Sequence, residues 1–243
     1  MSGSTAVAVA LVVALGSVVQ GITGFGFALV SMPLLATLLG VSDALVIQTL
    51  LGLVSNSTTG WTGRRSVLRP TATRLLLATA AGMPVGLLLL SRVPARGMKV
   101  LVGVTVAAVA IALARRLEVR ADERAVDLGA GFVSGVLGTS IGTNGPPIVI
   151  ALASRRLDKA AQRATMGTVF ALGNAIALTL FAATGRFDRV VVIGTVVSLP
   201  GLLLAWAAGD RVFSRIDQKR YESSVIGLLL ASAGVAVVSA LVG

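Results

Sequence analysis

The chain has 243 residues, of which 55% are hydrophobic and only 13% are charged, and this composition excludes both an ordinary soluble domain and a disordered chain. The net charge of +11 resides in short connectors between apolar runs, which is typical of loops beside a lipid bilayer and argues against nucleic acid as a partner. The sequence contains no cysteine and no histidine, which excludes disulfides, thiolate metal sites and a serine–histidine hydrolase.

Eight runs without a charged residue follow one another along the chain and predict the membrane-spanning segments. Six of them come close to the length of one crossing, about 17–25 residues. The first is far too long for one helix, and the fifth is interrupted by glycine, asparagine and proline, so we predict that both fold as helical hairpins that enter and leave on one side. The runs cover residues 2–42, 44–63, 75–91, 100–114, 128–154, 164–185, 190–209 and 223–243.

The distribution of lysine and arginine supports the two hairpins. With hairpins, the two sides of the membrane hold 16 and 5 basic residues, whereas single crossings would give 10 and 11. Because basic residues concentrate in cytoplasmic loops, the hairpin arrangement predicts an orientation. We expect a multi-pass protein of the cell inner (cytoplasmic) membrane with its basic loops in the cytoplasm and both termini on the outer side.

The second half of the chain repeats the first at an offset of 114 residues, which pairs Gly24 with Gly138 and Pro33 with Pro147. Each half makes an odd number of crossings, so two similar halves must point in opposite directions, as in many secondary transporters. We predict an all-α fold of two inverted repeats, each a broken hairpin plus three transmembrane helices, with about 8–10 helical segments in one membrane domain. The predicted boundaries are 1–114 for repeat 1, 115–127 for a charged cytoplasmic linker and 128–243 for repeat 2.

The two glycine-rich hairpin tips are the candidate binding site. Irregular backbone inside a membrane is tolerated only within protein or beside water, so we expect the tips to meet in mid-membrane around a hydrated cavity. Helix N-termini there would attract an anion, and nearby hydroxyls and amides would add donors. The predicted substrate-binding residues are Gln20, Thr23, Gly24, Gly26, Gly138, Thr139, Ser140, Gly142, Thr143, Asn144 and Gly145.

Three prolines are predicted to be structural. Pro146 and Pro147 fit the first turn of the returning helix of the second hairpin, with Thr143 or Asn144 near its cap. Pro33 lies well beyond the first tip and is expected to kink the returning helix there.

Other polar residues in the apolar runs carry less weight. Gln48 and Gln162 fit a packing role and a binding role equally, and Asn174 fits a bridge between helices better than a contact with substrate. The glycosylation motif at Asn56 is discounted because it lies inside a predicted span.

The predicted spans contain no acidic or basic residue, which argues against a carboxylate-based proton pump and favours recognition of an anion by N–H groups and dipoles. The small-residue spacings at Gly82–Gly86 and Gly131–Gly135 indicate helix packing. No catalytic pair, metal-ligand cluster or nucleotide-binding loop is visible in the sequence. We therefore predict that the protein is not an enzyme and uses no cofactor.

At both hairpins the sequence resembles the sulfite exporter TauE/SafE family of membrane permeases, also called the TSUP family. The resemblance rests on residues 21–33, GITGFGFALVSMP, and on residues 135–147, GVLGTSIGTNGPP. It implies an inner-membrane permease for sulfite, sulfonates or related organosulfur anions, with the two hairpins lining the substrate path. The leading hypothesis is a secondary transporter for a small sulfur-containing anion. An anion channel and a non-transporting membrane assembly partner are the alternatives.

Overall fold

The computed structural model of the protein describes residues 1–93, 97, 122–153, 155 and 157–228, and every regular element among them is a helix. The predicted span over residues 100–114 and most of the last one lie outside the described residues, and so does part of the linker, so the boundaries of the repeats stay a prediction. The helices are α1 (Gly3–Thr23), α2 (Phe27–Leu39), α3 (Val41–Thr62), α4 (Arg69–Arg92), α5 (Glu123–Ile141), α6 (Gly145–Ala153), α7 (Lys159–Ala183), α8 (Arg189–Arg215) and α9, described over residues 218–228.

The helices have the length and surface of a membrane protein. Four of those described, α1, α4, α7 and α8, are long and apolar enough to cross a bilayer. Their outward faces expose large apolar side chains, such as Leu11 at 67% and Leu204 at 74%. An apolar surface of this kind is costly in water and favourable in lipid. The predicted fold class, an all-α polytopic membrane protein, is confirmed.

Both predicted hairpins are present. In the first, α1 has 21 residues and the returning α2 has 13. In the second, α5 has 19 residues and the returning α6 has nine. Each hairpin turns at a glycine in the left-handed region, Gly24 with a φ of 85° and Gly142 with a φ of 72°, where a residue with a Cβ would be strained.

The main contacts between helices join one half of the chain to the other. α1 packs on α8, the corresponding α5 packs on α4, and α3 packs on α7, its own counterpart. Along the α3–α7 contact, Gly63 lies against Ala164 and Gly52 lies against Asn174, so these two helices run antiparallel. Counterpart helices that run antiparallel give the two halves opposite directions, as the inverted-repeat prediction requires.

The structural offset between the halves is 118 residues and not the 114 of the sequence match. The left-handed glycines Gly24 and Gly142 are 118 positions apart, and α2 and α6 begin at Phe27 and Gly145, which are separated by the same interval. Gly138, which the sequence match pairs with Gly24, lies one turn inside α5. A shift of four residues is about one helical turn, so residues shifted by four lie on the same face of a helix. Glycines that recur on that face therefore still match at the offset of 114.

Charged residues lie in the helices just outside the predicted charge-free spans. In α5, Asp127 is fully buried and accepts a hydrogen bond from Arg74 Nε of α4 at 2.8 Å, and it also pairs with Arg155. In α7, the buried Arg163 pairs with Asp210 of α8 at 2.7 Å. Because these buried charges are paired, they avoid much of the cost of desolvation. The helices therefore extend beyond the charge-free runs at the ends where these pairs lie.

Glycines permit the closest helix contacts. A Cβ at Gly131 would lie 2.5 Å from the carbonyl oxygen of Leu75, and Cβ atoms at Gly82, Gly86 and Gly135 would also meet backbone of the facing helix at less than 3 Å. α4 and α5 therefore approach backbone to backbone, and the packing interpretation of these small-residue spacings is confirmed.

Candidate functional site

The first hairpin tip is closed by its own side chains. Gln20, in the last turn of α1, donates from Nε2 to the Gly24 carbonyl at 3.1 Å and accepts from the Phe27 N–H with Oε1, also at 3.1 Å. The Thr23 hydroxyl oxygen accepts from the Gly26 N–H at 3.3 Å. These contacts cap the start of α2. The N–H groups of Gly26 and Phe27 at the start of α2 are therefore already occupied and are not available to an anion.

The second tip offers few backbone donors for a different reason. α6 begins at Gly145 and is followed at once by Pro146 and Pro147, so the prediction that these prolines start the returning helix is confirmed. Asn144 directly precedes the helix. Proline has no N–H, so the first turn of α6 has lost two of the donors that a helix N-terminus normally presents to an anion.

Neighbouring helices hold the second tip in place through its carbonyl groups. Gln48 of α3 donates from Nε2 to the Gly142 carbonyl at 2.6 Å. Ser134 of α5 donates its hydroxyl to the Asn144 carbonyl at 2.7 Å. The tips also meet each other, since a Cβ at Gly145 would lie 3.1 Å from the ring of Phe25. The prediction that the two hairpins meet inside the protein is therefore confirmed.

A narrow cavity lies between the two tips and helices α3, α4, α5 and α7. The space open to the centre of a water molecule is about 30 Å³, and one water molecule needs about 10–15 Å³ on this measure. The cavity therefore suits a ligand of a few non-hydrogen atoms. None of the described residues that line it is charged; the polar ones are Gln20, Gln48, Thr49, Asn56, Thr79, Ser134, Thr139, Asn144 and Asn174.

Carboxamide side chains are concentrated at this cavity. All three asparagines of the chain and two of its four glutamines line it. Asn56 of α3 and Asn174 of α7 are 118 positions apart, so they occupy equivalent places in the two halves. Both side chains converge on Gly52, where an added Cβ would lie 2.8 Å from Asn174 Nδ2 and 3.7 Å from Asn56 Nδ2. Because Gly52 has no side chain, the Asn174 amide can pack directly against its backbone, with the Asn56 amide also nearby.

The two asparagines differ in how they are held. Asn56 accepts from Gln20 Nε2 with its Oδ1 at 2.5 Å, which leaves its Nδ2 as the group near Gly52. Asn174 makes no hydrogen bond with any residue that the structure describes and is only 9% exposed. The amide therefore borders the cavity without a partner among the described residues. Its donors are free for a ligand.

Two further polar atoms at the cavity are buried without a partner among the described residues. They are Gln48 Oε1 and the Thr79 hydroxyl oxygen. The NH₂ group of Gln48 donates to the Gly142 carbonyl, and the amide oxygen of Gln48 can only accept a hydrogen bond. The cavity therefore combines amide donors with at least one unsatisfied acceptor.

The structure brings some of the predicted site residues to the cavity and leaves others outside it; their binding role stays a prediction. Those at the cavity are Gln20, Gly138, Thr139, Gly142 and Asn144, and those outside are Thr23, Gly24, Gly26, Ser140, Thr143 and Gly145. Among the outer residues, Ser140 donates its hydroxyl to a carbonyl of its own helix, and Gly24 lies against the Arg163 side chain.

Sequence reasoning missed Asn56 and Asn174 because each lies in mid-helix, where one appeared to be part of a glycosylation motif and the other a bridge between helices. The signal that would have found them is the concentration of the chain's few carboxamides at equivalent places in the two halves. At the correct offset of 118 the two asparagines align.

The family model described as "Sulfite exporter TauE/SafE" matches residues 9–236 of the chain, nearly its whole length. No curated protein and no solved structure shows significant similarity to the chain.

Proposed function

The chain belongs to the sulfite exporter TauE/SafE family and is a membrane transporter of sulfite-type anions. On this premise we propose that it is a permease for a small sulfur-containing anion, such as sulfite or an organosulfonate. The anion binds in the central cavity between the two hairpins. The convergence of Asn56 Nδ2 and Asn174 Nδ2 beside Gly52, in the lining of this cavity, is the observation that carries this proposal.

Amide donors suit a substrate that must both bind and leave. Hydrogen bonds to a charged group contribute about 1.5–3 kcal/mol each, and they are stronger in a cavity shielded from water. A buried arginine or lysine would hold an anion more tightly and slow its release. The uncharged lining is therefore consistent with a carrier.

The place of the site in the fold supports transport. α3 and α7 are counterparts that run antiparallel, and each contributes one of the two asparagines. The cavity therefore lies where the two inverted halves meet, which is where secondary transporters bind their substrates. Rocking of one half against the other would open such a site to each side of the membrane in turn.

The test is counterflow of labelled sulfite in proteoliposomes with Asn174→Leu. This change keeps the branching of the side chain and removes its donors, and no hydrogen bond to a described residue is lost. We expect the KM for sulfite to rise about tenfold or more, in line with the loss of one charge-assisted hydrogen bond, while the protein stays folded.

Gln162→Met is the matched control. Gln162 is a buried carboxamide on the same helix, α7, and it does not line the cavity. Its replacement should leave the KM unchanged. Equal effects of the two substitutions would contradict the placement of the site.

Two other functions remain distinguishable from the proposed one. An anion channel would pass the substrate without counterflow, because its flux does not depend on exchange through a single occupied site. A non-transporting assembly partner would show no flux of any anion and would tolerate Asn174→Leu in a cellular assay of the partner.

A further inference from the structure

We propose that the transported species is a monoanion that also carries a hydrogen-bond donor, such as hydrogen sulfite, and that the fully deprotonated sulfite dianion is excluded. This inference rests on the proposed function and specifies the protonation state of its substrate. It follows from the acceptors at the cavity, from the uncharged character of the described residues that line it and from the geometry at Gln48.

The carboxamide of Gln48 has a fixed orientation. Its Nε2 donates to the Gly142 carbonyl at 2.6 Å, and a carbonyl can receive only the NH₂ end of the amide. Gln48 Oε1 therefore remains as an acceptor without a partner among the described residues, on a side chain that is only 5% exposed. A buried acceptor of this kind costs free energy until a donor reaches it, and a dianion that has only acceptors cannot supply one.

The cost of desolvating the ligand also favours a monoanion over a dianion. No acidic or basic side chain among the described residues lines the cavity, so these residues supply no countercharge to offset the loss of hydration. That loss grows with the square of the charge, which makes it about four times larger for a dianion than for a monoanion of the same size. Two asparagine amides can compensate one negative charge far better than they can compensate two negative charges.

The cavity thus combines donors for an anion with an acceptor for a proton that the anion carries. Hydrogen sulfite meets both conditions, since it has one negative charge and one exchangeable hydrogen. When it crosses the membrane, its proton crosses with it. The protein then moves a proton with each sulfite although none of the described residues at the cavity is titratable.

The first test is the pH dependence of sulfite counterflow in proteoliposomes of the wild-type protein, with the same pH on both sides. Above the pH at which hydrogen sulfite loses its proton, the KM for total sulfite should rise about tenfold per pH unit, since the protonated fraction falls at that rate. The KM calculated for hydrogen sulfite alone should stay constant. A KM for total sulfite that is independent of pH, or falls as pH rises, would overturn the proposal.

The second test uses two anions of the same shape and charge. Sulfamate has an NH₂ group where methanesulfonate has a CH₃ group, and both remain monoanions across the tested pH range. We expect sulfamate to inhibit sulfite exchange at about a tenfold lower concentration, because only sulfamate can donate to Gln48 Oε1. Equal inhibition by the two anions would contradict the role of Gln48.

Gln48→Met connects the preference to the residue. The substitution removes the acceptor, and we expect the advantage of sulfamate over methanesulfonate to disappear while Gln162→Met retains it. Since Gln48 also holds Gly142, the variant's thermal unfolding is measured in parallel, and the comparison of the two anions on the wild-type protein stands whether or not the variant folds. Exchange of no sulfur anion at all would overturn the proposed function itself, whereas pH-independent exchange would overturn only the protonation state.

Discussion

Replacement of Gly52 by alanine should separate the binding site from the stability of the fold. Gly52 lies inside α3 and lines the cavity, and the asparagine amides converge beside it. A Cβ there would lie 2.8 Å from Asn174 Nδ2, which is too close for an ordinary contact. The amide end of Asn174 can rotate away, so the backbone need not move. The substitution therefore displaces one of the two amide donors at the cavity.

The expected magnitudes have opposite signs for folding and for binding. Alanine stabilises a helix interior by up to about 1 kcal/mol relative to glycine, so the variant should unfold at the wild-type temperature or slightly above it. Loss of one hydrogen bond to a charged ligand costs about 1.5–3 kcal/mol, and each 1.4 kcal/mol corresponds to about a tenfold change in affinity. The KM for sulfite should therefore rise by roughly 10- to 100-fold.

Counterflow and thermal unfolding of the purified variant provide both measurements. Gly173→Ala is the matched control, because a Cβ at Gly173 would meet only Met83 Cε at 3.6 Å and Thr79 Cγ2 at 3.7 Å, which are ordinary contacts. We expect the control to keep the wild-type KM. A Gly52→Ala protein that is stable and has an unchanged KM would refute the role of the two asparagines.

Three further predictions concern stability and topology. Asp127→Asn breaks a buried pairing with two arginines and should destabilise the protein by about 3–5 kcal/mol, seen as a large fall in Tm; an unchanged Tm would mean that these ion pairs contribute nothing. Thr139→Val removes a hydroxyl that donates to the Met83 carbonyl of α4 at 2.8 Å, and it should lower the free energy of unfolding by about 1 kcal/mol. Thr79→Val removes a hydroxyl without a described partner and should leave stability unchanged or raise it. The reverse order of stability would contradict the hydrogen bonding described above. Ser66→Cys should react with an impermeant thiol reagent only from the cytoplasmic side and Ser91→Cys only from the outer side, and the opposite pattern would reverse the predicted orientation.

The hairpins were predictable because they follow from length and backbone chemistry. A run of 41 uncharged residues cannot be one helix, and Gly24 takes a left-handed conformation that favours glycine. Pro146 and Pro147 likewise indicate the start of a helix directly from their fixed φ. These features are local, so the sequence contains all the information they need.

The composition of the site depends on long-range contacts, so the sequence predicts it only in part. The offset of 114 was one helical turn short of the structural 118, so Asn56 and Asn174 did not align. The prolines that start α6 predicted an anion-binding helix terminus, yet their missing N–H groups weaken that terminus. The capping of α2 by Gln20 depends on the folded turn. Side-chain amides from α3 and α7 therefore replace the backbone donors that the sequence suggested.

The most direct test of the account is counterflow by the wild-type protein in proteoliposomes, with labelled sulfite outside and a panel of unlabelled anions trapped inside. We predict that trapped sulfite and small sulfonates accelerate uptake of the label, and that trapped carboxylates of similar size do not. Equal acceleration by carboxylates would contradict a site selective for sulfur anions, and no acceleration by any anion, with protein shown to be folded, would contradict the carrier function itself.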